Sequence, residues 1–203
     1  MREEKTMNVI YSREPFPKQT TGSIFLAGPT PRKENAVPSW RPHALELLQE
    51  LGFSGDVFVP EDREGDCGIS PETYAPQIEW ETAGLNRTDT IVFWVPRNLA
   101  TLPAFTTNIE WGAWGNSGKV VFGAPADAPK NGYLIHQADA FKTPRFETLE
   151  KTLRTAVAII GNGAERAGGE CEIPLYIWKT DSFQSWYKNL IGCGNRIDGA
   201  KIL

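Results

Sequence analysis

Short continuous apolar runs alternate along the chain with segments in which apolar residues recur every three or four positions. Turn residues bound the runs, whose length is typical of strands buried on both faces of a parallel sheet. They occupy residues 8–11, 23–27, 56–60, 89–95, 119–123 and 133–135. The first run predicts a short edge strand, and the other five predict the central strands.

The segments between these runs have the spacing of helices. In residues 40–51 the apolar positions are Ala44, Leu47, Leu48 and Leu51, and the glycine that follows ends the pattern. Further helices are predicted from residue 74, from residue 107 and over residues 145–160. Strands that alternate with helices indicate an α/β fold, a doubly wound parallel sheet of about five strands with right-handed crossovers.

Composition shifts divide the chain into three predicted parts. Residues 1–21 are polar with scattered prolines and predict an N-terminal arm, and residues 22–162 carry the α/β pattern. A stretch rich in Gly and Ala begins near residue 161 and predicts a linker. Residues 163–203 then predict a small C-terminal strand–helix extension, either a docked tail or the start of a further domain.

Composition excludes several classes of function. The 203 residues are 40% hydrophobic, as expected for a chain with a sizeable core, and the net charge of -4 disfavours a nucleic acid polymer as partner. No apolar run approaches the length of a membrane span, and the first residues lack the apolar segment of a signal peptide. The three cysteines form neither a disulfide framework nor a metal-ligand pattern, so we expect a cytoplasmic protein.

Residues 106–114 contain the first candidate for chemistry. They follow the third central strand, and a helix is predicted to begin there with Glu110 in its first turn. In an open α/β sheet, the carboxyl ends of the strands and the adjacent helix starts form the ligand crevice. The alternative is a capping box, in which Thr107 and Glu110 satisfy the free amides of the helix start.

Glu81 is the second candidate. On a helical wheel it lies beside Tyr74, Ile78 and Leu85, on the side predicted to be buried. A buried carboxylate needs a partner or takes up a proton. One interpretation is therefore an ion pair with Arg63, Arg87 or another cation, and the other is a proton donor that faces the crevice.

The turn after the first central strand is the third candidate. Pro29 and Pro31 have no N–H groups, so the turn is a poor amide cradle for a phosphate. A ligand there would contact the N–H of Gly28, the hydroxyl of Thr30 and the guanidinium of Arg32, which grips a 5′-phosphate well. The alternative is a purely structural proline turn.

The only histidines, His43 and His136, lie in neither a nucleophile elbow nor a zinc-binding motif. A Ser-His-Asp hydrolase and a zinc enzyme are therefore set aside. We expect no metal and no cofactor.

These features together resemble the nucleoside 2-deoxyribosyltransferase family. The similar parts are the first central strand with its turn, an acidic residue eight before the Asp that opens the third strand, and a Glu helix followed by Gly-Lys and a strand. In this chain they are Leu26–Pro29, Glu81, Asp89, Glu110, Gly112, Ala113, Gly118 and Lys119. The resemblance covers roughly residues 22–160.

The resemblance implies a flavodoxin-like fold and an enzyme that exchanges or hydrolyses the base of nucleosides, deoxynucleosides or their 5′-monophosphates. It implies Glu110 as the nucleophile and Glu81 as the acid, at a position where the family usually has Asp. The substrate-binding residues that it implies are Gly28, Pro29, Thr30, Arg32, Asp89, Thr107, Asn108 and Asn131, the last from a neighbouring subunit. It also implies a homo-oligomer, at least a dimer, which we expect to form through Trp-bearing helix faces.

Other functions are compatible with the same residues. A sheet of this class could hold a nucleotide without turnover, as sensors and regulators do. The same carboxylate chemistry could also cleave a larger nucleotide, such as a dinucleotide. The residues leave open the base, the choice between ribose and deoxyribose, the need for a 5′-phosphate, and the choice between transfer and hydrolysis.

Overall fold

The computed structural model describes residues 6–18, 22–31, 37–63 and 71–161. Within these ranges a six-stranded, all-parallel sheet is flanked by five helices. The strands are β1 (Asn8–Tyr11), β2 (Ser23–Ala27), β3 (Asp56–Val59), β4 (Thr90–Trp94), β5 (Val120–Gly123) and β6 (Arg145–Phe146). The helices are α1 (Arg41–Glu50), α2 (Pro71–Arg87), α3 (Phe105–Trp114), α4 (Gly132–Phe141) and α5 (Leu149–Ile160).

The strand order places a topological switch point at the centre of the sheet. The order is β1-β3-β2-β4-β5-β6, and without the edge strand β1 it is the order of flavodoxin-like folds. Side chains of α1 and α5 pack on one face, and those of α2, α3 and α4 pack on the other. The predicted flavodoxin-like α/β fold is therefore confirmed. The switch point lies between β2 and β4, because strands are added on one side of β2 up to β3 and on its other side from β4 onward.

The two faces of the sheet are packed differently. The face below α2 and α3 is aromatic, and Trp111 makes edge-on contacts with Phe93 and Phe122 at centroid distances of 5.4 and 5.1 Å. The opposite face is aliphatic, with Leu48 of α1 and Leu153 of α5 fully buried. Because the central strands are buried on both sides, they appear in the sequence as continuous apolar runs.

The predicted strand at residues 133–135 is wrong. These residues belong to α4, in which Leu134 and Ala138 are buried four positions apart. An apolar run of this length is too short to distinguish a strand from one turn of a buried helix. The two-residue β6 completes the sheet instead, and α5 begins after it with Thr148 as its N-cap.

The N-terminal segment contributes directly to the sheet. β1 pairs with β3 as the predicted edge strand. The Phe16 ring stacks on the Trp80 ring with their centroids 5.1 Å apart. The predicted extension at 163–203 lies outside the described residues. In the part of the chain that the structure describes, no helix is long and apolar enough to cross a membrane.

Two helical glycines give a matched test of this packing. A Cβ at Gly84 would lie 2.7 Å from the Phe25 ring, whereas a Cβ at Gly112 would meet open space. We expect Gly84→Ala to destabilise the protein by about 1–3 kcal/mol through overpacking. Gly112→Ala should stabilise it by about 0.5–1 kcal/mol because Ala is the better helix former. Urea unfolding of both variants measures the difference, and equal effects would contradict the packing of α2 on β2.

Candidate active site

Two carboxylates lie on helices that pack on the same face of the sheet. Glu81 is in α2 and Glu110 is in the second turn of α3, which begins at Phe105. The N-cap of α3 is Ala104, in a left-handed conformation with φ of 59° and with no side-chain cap. The capping box is therefore wrong, because Thr107 is buried inside the helix and Glu110 is too far along it to reach the N-cap.

Glu110 is half-buried and holds its proton strongly. Its pKa is raised to about 8, chiefly by burial and also by the negative charge of Glu81, while the positive charge of Arg41 opposes the increase. The two carboxylates are therefore close enough to repel each other. Two acids in such contact titrate as a pair, and this pair retains a proton near neutral pH.

Glu81 is oriented by a short chain of polar side chains. Its Oε1 accepts a hydrogen bond of 2.7 Å from Gln77 Nε2, and Gln77 Oε1 in turn accepts from the hydroxyl of Ser12. Burial raises the pKa of Glu81, while the Gln77 hydrogen bond and the charge of Arg41 lower it. The carboxylate is thus held in one orientation without a direct salt bridge among the described residues.

The predicted surroundings of Glu81 need two corrections. Tyr74 and Ile78 are exposed, at 52% and 44%. Leu85 is buried as predicted, together with Gln77 and Trp80. Glu81 lies next to this true buried face and is half-buried for that reason. Of the predicted cation partners, Arg63 binds Glu14 and Arg87 donates to the carbonyl of Pro17, so neither pairs with Glu81.

The turn after β2 lies against the carboxyl end of β4. A Cβ at Gly28, whose φ is 150°, would come within 2.2 Å of the Trp94 carbonyl oxygen, so only glycine fits. The carbonyl of Pro29 accepts from Trp40 Nε1 at 3.1 Å. The hydroxyl of Thr30 accepts from Arg41 Nη1 at 3.0 Å. Structural hydrogen bonds thus hold the part of this turn that the structure describes.

Arg41 is a buried cation of the site, and its role was not predicted from the sequence. Only 1% of it is exposed, and its Nη1 forms an ion pair with Glu61. Its guanidinium also donates to the carbonyls of Leu26 and Gly28. The one available signal was a cation in the first position of a helix, where the helix dipole disfavours positive charge.

A second buried guanidinium connects the loop after β4 to α3 and α4. Arg97 donates to Asn131 Oδ1 at 3.0 Å and to Asn108 Oδ1 at 2.6 Å, and burial lowers its pKa. Asn131 Nδ2 donates to the Val95 carbonyl, and this side chain is 2% exposed. The amide of Asn131 is therefore used within its own subunit, and Asn108 alone of the pair has an exposed side chain.

One predicted binding residue, Asp89, is not brought to this site. Asp89 precedes β4 and accepts from the hydroxyl of Ser23 at 2.9 Å, so it lies at the amino end of the sheet. β4 separates it from the switch point by five residues, or about 17 Å. The resemblance was based on its spacing from Glu81, and the structure places Asp89 away from the carboxyl ends of the strands. Arg32 lies outside the described residues.

Lys119 of the Gly-Lys pair caps the C-terminus of α2 with its side chain. Its Nζ donates to the carbonyls of Leu85, Asn86 and Thr88, and it lies 4.9 Å from the centroid of the Trp114 ring. Burial lowers its pKa to about 8. This residue satisfies the free carbonyls at the C-terminus of α2.

No group of three or more His, Cys, Asp or Glu side chains within the described ranges could hold a metal ion.

The fold and the site define a flavodoxin-like α/β protein with paired carboxyl groups on neighbouring helices at the switch point. A family model described as nucleoside 2-deoxyribosyltransferase-like matches residues 21–128, which is more than half of the chain. The chain belongs to this family. No curated protein matches it.

The raised pKa of Glu110 predicts how stability depends on pH. The folded protein keeps a proton that an unfolded chain has already released, so ionisation opposes folding between about pH 5 and pH 8. Glu110→Gln removes this penalty, and its stability relative to wild type should grow by up to about 1.4 kcal/mol per pH unit across that window. Denaturant unfolding at several pH values measures the difference.

The matched control is Glu79→Gln, which changes an exposed glutamate of α2 in the same way. Its stability difference from wild type should stay nearly constant over the window. A Glu110→Gln difference that is equally flat would show that Glu110 ionises as a solvent-exposed carboxylate does.

Proposed function

We propose that the protein cleaves the N-glycosidic bond of a nucleoside, a deoxynucleoside or its 5′-monophosphate, through a covalent glycosyl intermediate on Glu110. The observation that carries this proposal is the placement of Glu81 and Glu110 on neighbouring helices beside the switch point, where the charge of Glu81 raises the pKa of Glu110. Ligands of doubly wound sheets bind at that point. Family membership supports the substrate class.

The first step uses both carboxyl groups. A carboxylate oxygen of Glu110 attacks the anomeric carbon, and the bond from this carbon to the base nitrogen breaks with its electron pair moving to the base. Glu81 donates its proton to the leaving base and becomes a carboxylate. The sugar is then held as an ester of Glu110, as in retaining glycosidases.

The second step reverses the roles of the two groups. Glu81, now ionised, accepts a proton from the incoming nucleophile, which attacks the anomeric carbon and displaces Glu110. Water as the nucleophile gives hydrolysis, and a second base gives transfer. The protein side chains are the same in both cases, so access of water to the ester decides between them.

The pair must hold its single proton on the correct group. The free protein retains a proton near neutral pH because burial raises both pKa values and the charge of Glu81 adds to the increase for Glu110. Turnover requires that proton on Glu81 and a negative charge on Glu110. A bound substrate favours this arrangement, because its base accepts a hydrogen bond from protonated Glu81 and the developing positive charge of its sugar attracts ionised Glu110.

Glu110→Gln should abolish release of free base, because an amide is a poor nucleophile. The assay is incubation with deoxynucleosides, ribonucleosides and their 5′-monophosphates, followed by chromatography for the base. Rapid quenching and mass spectrometry of the intact wild-type protein should show the mass of one added sugar, which the variant lacks. Glu81→Gln should slow the first step most for substrates whose base is a poor leaving group.

Glu79→Gln is the control for this series and should keep wild-type turnover. Full activity of Glu110→Gln would exclude the covalent mechanism. Binding of a nucleotide without release of base from any substrate would instead favour a non-catalytic nucleotide-binding module. Release of base from a dinucleotide alone would identify a larger substrate.

We also propose that the chain forms a homodimer through α3. Phe105 and Ile109 are one helical turn apart on this helix and are 67% and 72% exposed, and Tyr133 of α4 is 73% exposed. Large apolar side chains grouped in this way are typical of interaction surfaces. We expected a Trp-bearing helix face at the contact, but Trp111 of α3 is only 1% exposed and packs in the core. The apolar residues on the opposite face of α3 therefore replace it in the proposal.

Ile109→Glu should convert the dimer to a monomer because it places a charge at the centre of the apolar contact. Light scattering at matched concentrations measures the mass. Ile159→Glu is the control, because this residue is also exposed, at 47%, but lies on α5 across the sheet. A wild-type monomer that is fully active would exclude the assembly.

A further inference from the structure

Arg41 occupies a position that the stability of its own helix does not explain. It is the first residue of α1, where the helix dipole disfavours a cation, and the first turn of α1 contains no acidic residue to offset it. Its side chain is nevertheless almost completely buried. A buried charge costs free energy unless its partners compensate for it, so the reason for this arginine lies in what its guanidinium contacts.

The guanidinium contacts the turn at the carboxyl end of β2. Nε donates to the Leu26 carbonyl at 3.1 Å, Nη2 donates to the Gly28 carbonyl at 2.8 Å, and Nη1 donates to the Thr30 hydroxyl at 3.0 Å. These three acceptors span five residues of chain. One rigid, planar group therefore fixes the path of the turn where it passes the end of β4.

The same guanidinium is the positive charge that the carboxyl groups of the site share. Glu61, from the loop after β3, is in direct contact with it and also accepts from Ser39 at 2.8 Å. Glu81 from α2 and Glu110 from α3 are within its electrostatic range, and its charge lowers the pKa of each. Within the described residues, one cation thus faces three carboxyl groups on three elements.

We propose that Arg41 is the positioning residue of this site, which fixes the β2–α1 turn and, through its ion pair with Glu61, holds one buried guanidinium beside the Glu81–Glu110 pair. Its charge stabilises the ionised forms of the pair, and Glu61 offsets part of that charge. The catalytic meaning of this inference rests on the proposed glycosidase function. The electrostatic relation among these four side chains does not.

A direct titration tests that relation without any substrate. The full-length protein is labelled with ¹³C at the glutamate carboxyl carbons, and its resonances are followed by NMR as the pH is changed. Glu110→Gln and Glu81→Gln assign the two resonances of the pair. Removing the charge with Arg41→Met should move the midpoints of the pair to higher pH, because the ionised forms lose their cation.

Glu61→Gln should move the same midpoints to lower pH. The amide keeps an oxygen that can accept from Arg41 and Ser39, but it no longer offsets the guanidinium charge. Arg97→Met is the matched control, because it removes another buried guanidinium, which donates to Asn131 and Asn108 and not to a carboxyl group of the site. Its midpoints should equal those of wild type, whatever stability it loses.

The kinetic consequence is a shift of the acid limb of kcat/KM. Arg41→Met should lose about tenfold in kcat/KM on that limb, as expected for a midpoint about one unit higher. Arg41→Lys should restore the position of the limb because it restores the charge. It should keep a raised KM, because an ammonium cannot reproduce the planar set of hydrogen bonds to the turn.

Opposite shifts for Arg41→Met and Glu61→Gln, with none for Arg97→Met, support the inference. Unchanged midpoints, or shifts in the same direction for both variants, would overturn it and leave Arg41 a structural residue. If Arg41→Met does not fold, the direction of the Glu61→Gln shift decides. If no substrate is turned over, the proposed glycosidase fails while the NMR titration still decides the role of Arg41.

Discussion

The site depends on where a sheet buried on both faces can place charge. Each central strand lies between two apolar layers, so ionisable groups are confined to strand ends and to the helices beside them. At the carboxyl ends of β2 and β4 the chain leaves toward opposite faces, and the two connections diverge. The four charged side chains of the site, Arg41, Glu61, Glu81 and Glu110, lie around this point.

Once collected there, the charges constrain one another. Three carboxyl groups near one guanidinium cannot all ionise at low cost in a partly buried setting, so a proton remains on the Glu81–Glu110 pair. A shared proton is also what stepwise glycosidic cleavage requires, with one group acting as nucleophile and the other as acid. Burial of the two carboxyl groups therefore opposes folding and, in the proposed mechanism, keeps on the pair the proton that the acid donates.

The sequence predicted most of the sheet because burial on both faces leaves a local signal. Strands β1 to β5 lie where the apolar runs are, and their alternation with helices was enough for the flavodoxin-like class. The prediction at 133–135 failed because three apolar residues fit a strand and a helical turn equally well. The sheet gained the two-residue β6 in its place, which is too short to leave a pattern.

The surroundings of the carboxylates were harder to predict, because they depend on contacts distant in sequence. Glu81 and Glu110 could be found by spacing, but the start of α3 at a left-handed Ala104 has no sequence signature. The buried face of α2 was predicted from Tyr74, Ile78 and Leu85, of which the fold buries only Leu85. No sequence pattern near Arg41 indicated that it would form an ion pair with Glu61, which is twenty residues away in the loop after β3.

The cap of α2 by Lys119 limits which substitutions the fold can accept. All three acceptors of its Nζ are main-chain carbonyls, at Leu85, Asn86 and Thr88. The contact therefore does not depend on which side chains those three positions carry, only on a helix that ends where it does. Substitutions at Leu85, Asn86 or Thr88 can therefore leave this cap intact. Loss of the Lys119 amine, by contrast, would leave all three carbonyls without this donor.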